Sequence, residues 1–369
     1  MCESAKPLRL YVYPQFIDQK LSHTPLLFPF WPPKLKRATP FSNALWKKYQ
    51  FDTSYYCLVN DLKDADYILL PHRYWLLKKF RPDLLTSFLK EAEGSGKPVL
   101  IDAYGDSDAV IPIKYACILR TSQYRFKYQP NEVILPAYVE DLLEQYYQGI
   151  LDIRQKQTNP VVGFVGWASS PLPDTIRKHL KGSFFQLLAL FQKQYGAYIP
   201  GVLLRKYAII RLQDTPYISV NFIIRQTYSG HKNTRQGDLN TIRQQFIVNM
   251  FESDYILNVK GNGNYSQRFY ETLSMGRIPI FINTECVLPL ESQIDYRECC
   301  LFVEHHHLDR IGEILTEFHR QICPEQFLWM QQRAREIFET YLRVDVFTKY
   351  LIQELHEHLR AITRGKNAC

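Results

Sequence analysis

Residues suited to holding a nucleotide diphosphate lie close together between Gly261 and Glu271. Gly261 and Gly263 let other groups approach the backbone closely, and a helix predicted to start near Ser266 offers unpaired N–H groups and the positive end of its dipole. Arg268 and Glu271 are three residues apart, so they share one face of that helix. A cation beside a diphosphate, with a carboxylate that accepts from ribose hydroxyls, is an arrangement expected of a nucleotide site. A surface ion pair between Arg268 and Glu271 is the alternative interpretation.

Two predicted strands place these residues at one edge of a sheet. The apolar runs Tyr255–Lys260 and Ile278–Asn283 are typical of buried strands. Between them a short helix is predicted from about Ser266 to Met275, and it ends at Gly276, the residue type that most easily takes a left-handed turn. Strand, loop, helix and strand form a compact βαβ unit, which places its first loop at the carboxyl edge of the sheet.

The glycine pair does not complete either of the common phosphate-binding motifs. Position 266 is Ser rather than Gly, which excludes the dinucleotide fingerprint, and no Gly-Lys-Ser/Thr follows, which excludes the P-loop. The sequence also lacks the Gly-x-Ser-x-Gly pattern of a nucleophilic serine. The residues therefore indicate a nucleotide held by a loop and a helix start, without a covalent nucleophile.

The run from Ser253 to Leu290 resembles the C-terminal signature of the exostosin family of glycosyltransferases. The shared pattern is a strand, a basic residue followed by Gly, a Ser, an Arg followed three residues later by Glu, a Gly-x-Ile-Pro strand and a Leu-Pro pair. In this sequence these positions are Lys260, Gly261, Ser266, Arg268, Glu271, Gly276, Ile278, Pro279, Leu288 and Pro289. Two positions depart from the pattern, because many family members carry Arg where Lys260 stands and Cys or a small residue where Arg277 stands. Lys keeps the charge but lacks the planar two-pronged donor of Arg.

This resemblance implies an α/β fold of GT-B type, with two Rossmann-like domains facing each other across a cleft. It implies an inverting glycosyltransferase that moves a sugar from a nucleotide-diphosphate donor, expected to be a UDP-sugar, to a hydroxyl of a glycan acceptor. The residues expected to bind the donor are Arg225, Lys260, Gly261, Ser266, Arg268 and Glu271, with Glu271 on the ribose and Arg268 also assigned to catalysis. No metal ion and no cofactor are expected, since fixed cations can neutralise the departing diphosphate. A non-catalytic glycan-binding or partner subunit and a sugar-nucleotide epimerase of the same architecture are the alternatives.

The acceptor hydroxyl needs a general base, and Asp106 is the first candidate. It lies in the loop AYGDSD after a strand predicted at Pro98–Asp102, where a carboxylate can take a proton from the acceptor. Asp102 and His72 are the alternatives. The tripeptide Asp106–Asp108 also matches the DxD pattern of manganese-dependent glycosyltransferases of another architecture. Turn-forming Asp residues are the simplest interpretation of this loop.

Strands alternate with helical stretches along the sequence, which favours open parallel sheets. The polar run RQKQTNP at 154–160 follows a helix predicted at Tyr138–Gln157 and indicates a domain boundary. The predicted domains are therefore an acceptor-side domain at 1–157, a nucleotide-sugar-binding domain at 158–322, and C-terminal helices at 323–369 that pack back towards the first domain. Arg120 follows a predicted strand of the first domain and is a further candidate for contact with the acceptor or the diphosphate.

The composition is that of a globular protein, with 369 residues of which 46% are hydrophobic and 22% charged. The net charge of +8 suits phosphorylated donors, acidic glycans or peripheral contact with an anionic membrane, whereas no block of Lys and Arg is dense enough to predict nucleic-acid binding. Eight cysteines without a CxxC pair favour a reducing compartment. No signal peptide or membrane-spanning run is visible, so a cytoplasmic location is expected. The tripeptide His305–His307 does not predict a metal site, because consecutive side chains of an extended segment point to opposite faces.

Overall fold

The computed structural model describes residues 6–31, 33, 40–168, 172–226 and 237–367, which form two compact units. The first unit comprises Met1–Val139, Val287–Leu290 and Thr340–Cys369, and the second comprises Glu140–Cys286 and Glu291–Glu339. Each unit contains a parallel sheet with helices, so the predicted α/β class with two Rossmann-like sheets is confirmed. Of the described helices, none has the length and apolar character needed to span a bilayer.

The sheet of the first unit has six parallel strands. They are β1 (Leu8–Tyr11), β2 (Tyr56–Val59), β3 (Tyr67–Leu69), β4 (Val99–Asp102), β5 (Ala116–Arg120) and β6 (Glu132–Ile134). Their order across the sheet is β2-β1-β3-β4-β5-β6. The helices of this unit are α1 (Pro40–Lys48), α2 (Tyr74–Phe80), α3 (Pro82–Ser95) and α11 (Val344–Asn367).

Strands β3, β4 and β5 are buried at every residue, as expected when both faces of a parallel sheet are covered. One core cluster joins Phe88 of α3 to Ile101 of β4. Helix α11 is part of the same unit, since the Tyr67 hydroxyl donates to the Leu355 carbonyl at 3.1 Å. Strand β2 was not predicted, because its four residues lie at the sheet edge and only Tyr56 among them is buried.

The sheet of the second unit has five parallel strands. They are β7 (Val161–Trp167), β8 (Ser219–Arg225), β9 (Tyr255–Asn258), β10 (Ile278–Asn283) and β11 (Leu301–Glu304). The helices are α4 (Leu142–Tyr147), α5 (Leu172–Phe191), α6 (Gly201–Gln213), α7 (Leu239–Phe251), α8 (Gln267–Ser274), α9 (Ile311–Gln321) and α10 (Pro324–Ile337). The strand order is β11-β10-β9-β7-β8, so the chain builds on one side of β7 with β8 and then on the other side with β9.

The compact units divide the chain at other residues than the predicted domains do. Leu142 and Leu143 pack against Ile247 of α7 and Ile256 of β9, so the second unit begins at Glu140 rather than at 158. Helix α10 also belongs to this unit, because Phe327 is part of its core cluster. The chain from Thr340 onwards is assigned to the first unit.

The long helix predicted at Tyr138–Gln157 is wrong, because α4 ends at Tyr147. Gln148 and Gly149 have φ values of 55° and 74°, and this left-handed backbone ends the helix. The polar run that follows is tied to the second unit by an ion pair of 2.6 Å between Arg154 Nε and Asp254 Oδ1. The polar run is therefore anchored to the second unit at Arg154, whereas Gln155 and 157–159 are exposed.

Replacing Arg120 by Ala should destabilise the first unit by about 3–5 kcal/mol, because the buried Glu132 carboxylate would lose its cation. Arg120 is fully buried and ion-paired with Glu132, and its Nη2 donates to the carbonyls of Ser107 and Ala109 at 3.0 and 3.1 Å. Arg9→Ala is the matched control, since this surface ion pair should contribute at most about 1 kcal/mol. Urea unfolding followed by circular dichroism compares the two variants, and equal losses of stability would contradict the assignment.

Candidate functional site

The order of strands in the second unit reverses between β7 and β9, where parallel α/β sheets bind ligands beyond their carboxyl ends. The chain leaves β7 at Trp167 and leaves β9 for the loop that begins at Val259. Because all five strands are parallel, both ends lie at the same edge of the sheet. The site predicted at Gly261–Glu271 is therefore at the position where this fold opens a crevice.

The glycine loop after β9 is open at its tip, as a ligand-binding loop needs to be. Gly261 and Asn262 are exposed, and a methyl group added to Gly261 would meet nothing within 4 Å. The loop closes through the Gly261 N–H, which donates to the Tyr265 carbonyl at 3.1 Å. Ser266 is the N-cap of α8, and its side chain makes no capping hydrogen bond. The first turn of α8 thus keeps amide groups available to an anion.

Arg268 brings a guanidinium from α8 under the end of β7. Its Nη2 donates to the Val165 carbonyl at 2.5 Å, and its charged carbon lies 4.3 Å from the ring centroid of Phe164. Its Nε is buried and has no hydrogen-bond partner among the described residues. Burial first, and then the charge of Arg205, lower the pKa of Arg268 to about 9, while the charge of Glu271 opposes both effects. The folded protein therefore holds this cation at a cost that a bound anion would offset.

Arg205 of α6 completes the cluster and was not among the residues predicted from the sequence. Its Nη1 donates to the Trp167 carbonyl at 2.5 Å and its Nη2 to the Lys260 carbonyl at 3.2 Å. It thereby joins the ends of β7 and β9, and its charged carbon is 5.8 Å from the Phe164 ring centroid. No motif marks Arg205 in the sequence, because it is brought to the site by the packing of α6. We call Arg205 and Arg268, together with the Phe164 ring, the arginine cluster.

Lys260 has a packing role in the structure. It is buried, and its ammonium donates to the Ala197 carbonyl. A methyl group added to Gly201, at the start of α6, would lie 2.1 Å from the Lys260 carbonyl oxygen, so the helix start presses directly on this backbone. Lys260 thus fixes α6 beside the glycine loop. Its predicted contact with a phosphate stays a prediction.

Glu271 is paired with an arginine, although not the one suggested by spacing. The alternative prediction of a surface ion pair between Arg268 and Glu271 is wrong. Glu271 is buried, and its ion-pair partner is Arg243 at 3.3 Å. Arg243 also pairs with Glu140 at 2.6 Å, and its Nε donates to the Tyr146 hydroxyl at 3.2 Å. Burial raises the pKa of Glu140, while the charge of Arg243 lowers it and that of Glu271 raises it. Two carboxylates share one guanidinium, so Glu271 retains capacity to accept hydrogen bonds.

Arg225 lies at the same edge of the sheet as the glycine loop. It is the last residue of β8 and is paired in register with Trp167 of β7. Its Nη2 donates to Gln245 Oε1 at 2.8 Å, and burial lowers its pKa. The structure therefore places Arg225, Arg268 and the loop at Gly261 at one edge of the sheet. It adds Arg205, which was not predicted.

The three candidates for a general base all lie in the first unit, and they differ in access to solvent. Asp106 is exposed. Asp102 is buried and accepts from the Thr24 hydroxyl at 2.7 Å, and His72 is buried with Nε2 accepting from the Asp18 N–H at 2.9 Å. Of the three side chains, that of Asp106 is the one exposed to solvent. Its loop is anchored by Thr121, whose hydroxyl donates to the Gly105 carbonyl at 3.0 Å.

The second carboxylate of the DxD pattern is engaged, since Asp108 forms an ion pair of 2.6 Å with Lys127. Arg120, the other candidate in this unit, is buried against Glu132 and supports the loop from within. The prediction that Arg120 contacts the acceptor or the diphosphate directly is therefore wrong. Its contribution is to the position of the loop that carries Asp106.

The departure of Arg277 from the family pattern has a structural explanation. Arg277 is fully buried, and its guanidinium donates to the carbonyls of Phe251 and Asp152 at 2.8 and 2.9 Å. Burial first, and then the charge of the nearby Arg154, lower its pKa to about 10. This arginine holds the segment at Asp152 to the end of α7, so it lies outside the ligand-binding edge.

The histidine run differs from its expected geometry. Glu304, His305 and His306 place potential ligand atoms within 4.8 Å of one another, although consecutive side chains were expected to diverge. The His305 ring nitrogens lie 3.2 Å from the Asn283 carbonyl oxygen and 3.4 Å from that of Lys193. Glu304 accepts two hydrogen bonds from Asn283 Nδ2, at 3.0 and 3.1 Å. These contacts give two of the three side chains a packing role between the end of β10 and the segment after α5.

Comparisons with known proteins identify the family to which this edge of the sheet is related. The family model of the Exostosin GT47 domain matches residues 207–318, which include Arg225, Lys260, Arg268 and Glu271. Exostosin-1 of Drosophila melanogaster is 29% identical over 113 residues, which cover 30% of this chain and 14% of that protein. The Exostosin-1 homolog of Caenorhabditis elegans is 24% identical over 135 residues, which cover 36% of this chain and 34% of that protein. The predicted resemblance to exostosin-family glycosyltransferases is thus confirmed, over matches that span about a third or less of each relative.

Two solved structures show a partial likeness to this chain at low sequence identity. A glycosyltransferase from Rickettsia africae has a TM-score of 0.39 and 11% identity, covering 80% of this chain and 77% of that one. Anabaena HepE, solved in complex with UDP and glucose, has a TM-score of 0.38 and 10% identity, covering 95% of this chain and 99% of that one. The fold assignment rests on the two parallel sheets and their strand orders.

The fully buried Arg277 and the half-buried Arg268 should respond differently to removal. Arg277→Ala should destabilise the protein by about 2–4 kcal/mol, since buried carbonyls would lose their donors. Arg268→Ala should change stability by less than about 1 kcal/mol, because losing one hydrogen bond is offset by removing a charge that burial disfavours. Denaturant unfolding of both variants beside the unmodified protein is the measurement. Equal destabilisation by the two substitutions would show that Arg268 is a structural residue.

Proposed function

We propose that this chain, which carries an Exostosin GT47 domain, is an inverting glycosyltransferase that transfers a sugar from a nucleotide-diphosphate donor to a hydroxyl of a glycan. The family resemblance supports a UDP-sugar as the donor. The observation that carries the proposal is the arginine cluster, where guanidinium groups are held at the carboxyl edge of β7 beside an open glycine loop and a helix start. This combination matches a diphosphate in charge and in hydrogen-bond donors.

The donor would lie with its diphosphate at the arginine cluster and the first turn of α8. Arg268 and Arg205 each donate to a backbone carbonyl of β7 and are thereby held in fixed orientations. Fixed cations stabilise charge that develops on a leaving group without having to reorganise first. Glu271, which shares Arg243 with Glu140, would accept from the ribose hydroxyls. Arg225 at the end of β8 would add a further cation at the same edge.

The reaction that follows from this arrangement is a single displacement. The acceptor hydroxyl forms a bond to the anomeric carbon, the bond from that carbon to the diphosphate oxygen breaks, and the nucleoside diphosphate leaves with the electron pair. Asp106 would take the proton of the acceptor hydroxyl, because it is the exposed carboxylate among the three candidates. The positive charge needed at the diphosphate is supplied by the cations named above, so the proposal includes no metal ion and no cofactor. A cytoplasmic location remains a prediction from the sequence.

A non-catalytic glycan-binding or partner subunit is the second candidate. The engagement of the Lys260 ammonium by the Ala197 carbonyl favours it, since one predicted phosphate ligand is occupied. The structural role of Arg277 weakens it, because that departure from the family pattern does not touch the site. The two candidates separate on turnover: a binding subunit would retain glycan or partner binding without releasing nucleotide from any nucleotide sugar.

Arg268→Ala should weaken UDP binding at least about tenfold and lower the rate of sugar transfer by about 10²–10³, as loss of a transition-state donor does in other enzymes. The thermal shift produced by UDP, and nucleotide release from a panel of nucleotide sugars, measure the two effects. Glu271→Ala should mainly weaken binding, and Asp106→Asn should lower the rate while leaving the UDP-induced shift intact.

Arg320→Ala is the matched control, because Arg320 is exposed in a surface ion pair with Glu317. It should behave as the unmodified protein in both assays. Unchanged UDP binding and unchanged turnover in Arg268→Ala and Glu271→Ala would remove the proposal. UDP binding without turnover on any nucleotide sugar would favour the binding subunit.

A further inference from the structure

The segment that contains α5 and α6 has a strongly one-sided charge. From Thr175 to Gln213 the sequence contains no Asp and no Glu. The same segment contains Arg177, Lys178, Lys181, Lys193, Arg205, Lys206 and Arg211. This stretch therefore carries seven positive charges, beside a net charge of +8 for the whole chain, and Asp174 in the first turn of α5 lies just outside it. A surface of this kind attracts anionic partners.

Helix α5 also exposes a continuous apolar stripe. Leu180, Phe184, Leu187 and Phe191 are spaced by four, three and four residues, so they lie on one face of the helix. Their exposed fractions are 68%, 57%, 57% and 81%. Leu190, beside this stripe, is 80% exposed. Large apolar side chains aligned in this way on a surface indicate an interaction site.

The opposite face of α5 is packed, which fixes the direction of the stripe. A methyl group added to Gly182 would lie 2.7 Å from Leu203 Cδ1, so α5 and α6 approach each other closely at this glycine. Phe185 stacks on Tyr198 with ring centroids 5.2 Å apart. Gly182 and Phe185 lie on the side of α5 away from the stripe, so the stripe points out of the second unit. The stripe is therefore the face of α5 opposite to its packed side.

A groove between α5 and α6 extends the apolar surface. Its volume is about 240 Å³, and Leu203, Tyr207 and Ile210 of α6 contribute to its lining. His179 and Lys206 also line the groove and are exposed. Apolar side chains are thus bordered by Lys206 and His179, and the stretch from Thr175 to Gln213 has no carboxylate to oppose an anionic partner.

From these observations we infer that α5 and the adjoining groove form a peripheral docking surface for an anionic lipid membrane. We call this surface the α5 face, defined by Leu180, Lys181, Phe184, Leu187 and Phe191. Helices that lie in the membrane interface combine a bulky apolar stripe with flanking Lys and Arg, and they bind through apolar burial together with attraction to anionic lipids. A second copy of the chain suits the α5 face less well, because a two-fold contact would bring its cations against each other. This inference is independent of the catalytic proposal.

The full chain should bind vesicles that contain phosphatidylserine and should not bind vesicles of pure phosphatidylcholine, with binding that weakens as salt is raised. The variant Phe184→Ser/Leu187→Ser/Phe191→Ser should lose at least about tenfold in partitioning, because it removes the apolar side chains that insert. The partition constant of Lys181→Glu/Lys193→Glu on anionic vesicles should also fall at least about tenfold. In this variant two cations that the lipid surface attracts are replaced by carboxylates that it repels. Vesicle flotation at several lipid concentrations measures these partition constants.

The matched control is Phe80→Ser/Lys79→Glu/Lys90→Glu, which changes exposed apolar and cationic residues of the first unit. It should bind as the unmodified chain does, and circular dichroism should show all variants folded. Failure of the unmodified chain to bind anionic vesicles, or undiminished binding by the triple serine variant, would overturn the inference. So would a concentration-dependent dimer, seen by light scattering, that the triple serine variant abolishes, because the α5 face would then be an interface between copies. UDP-dependent thermal shifts of the triple serine variant should be unchanged, which separates this inference from the nucleotide site.

Discussion

The constraint on which the second unit depends is the placement of arginine side chains against the carbonyl end of β7. Arg268 donates to Val165 and Arg205 to Trp167, and both guanidinium groups lie near the ring of Phe164. Partners of this kind orient a guanidinium without neutralising it, since a carbonyl has a dipole but no net charge. Burial then disfavours the charged form, as the lowered pKa of Arg268 indicates. The edge of the sheet is consequently electropositive, and a bound anion would stabilise its partly buried charge.

The structure uses the same residue type elsewhere for a different purpose, and the partner atoms distinguish the two uses. Arg120 is paired with Glu132, and Arg335 donates to both oxygens of Asp141 at 2.6 and 2.9 Å. These guanidinium groups are neutralised by carboxylates and hold segments distant in sequence together. Arg277 is the intermediate case, because it bonds to carbonyls but is completely enclosed. Position at the carboxyl edge of the sheet, rather than burial or charge alone, therefore separates Arg268 from the structural arginines.

Positive charge in this chain is organised on two scales. At the ligand edge it is local, with fixed donors set at hydrogen-bond distances. Along α5 and α6 it is diffuse, and exposed lysines border apolar side chains. The two regions are connected, since Lys178 of α5 lies 4.2 Å from the ring centroid of Trp167, where β7 ends. From Thr175 to Gln213 the sequence contains no carboxylate, so no acidic side chain of this stretch lowers the positive potential at either region.

The sequence alone determined the βαβ unit from Tyr255 to Asn283, because apolar runs bounded by glycines specify strands and turns locally. It also marked Arg268, Glu271 and the glycine loop, whose spacing on one short segment is a local property. Tertiary structure decided which cation accompanies Arg268, since Arg205 comes from a helix 63 residues earlier and reaches the site through packing of α6. It also decided the partner of Glu271 and the start of the second unit at Glu140. Long-range contacts of this kind depend on how helices cover a sheet, which the spacing of residues within one segment does not encode.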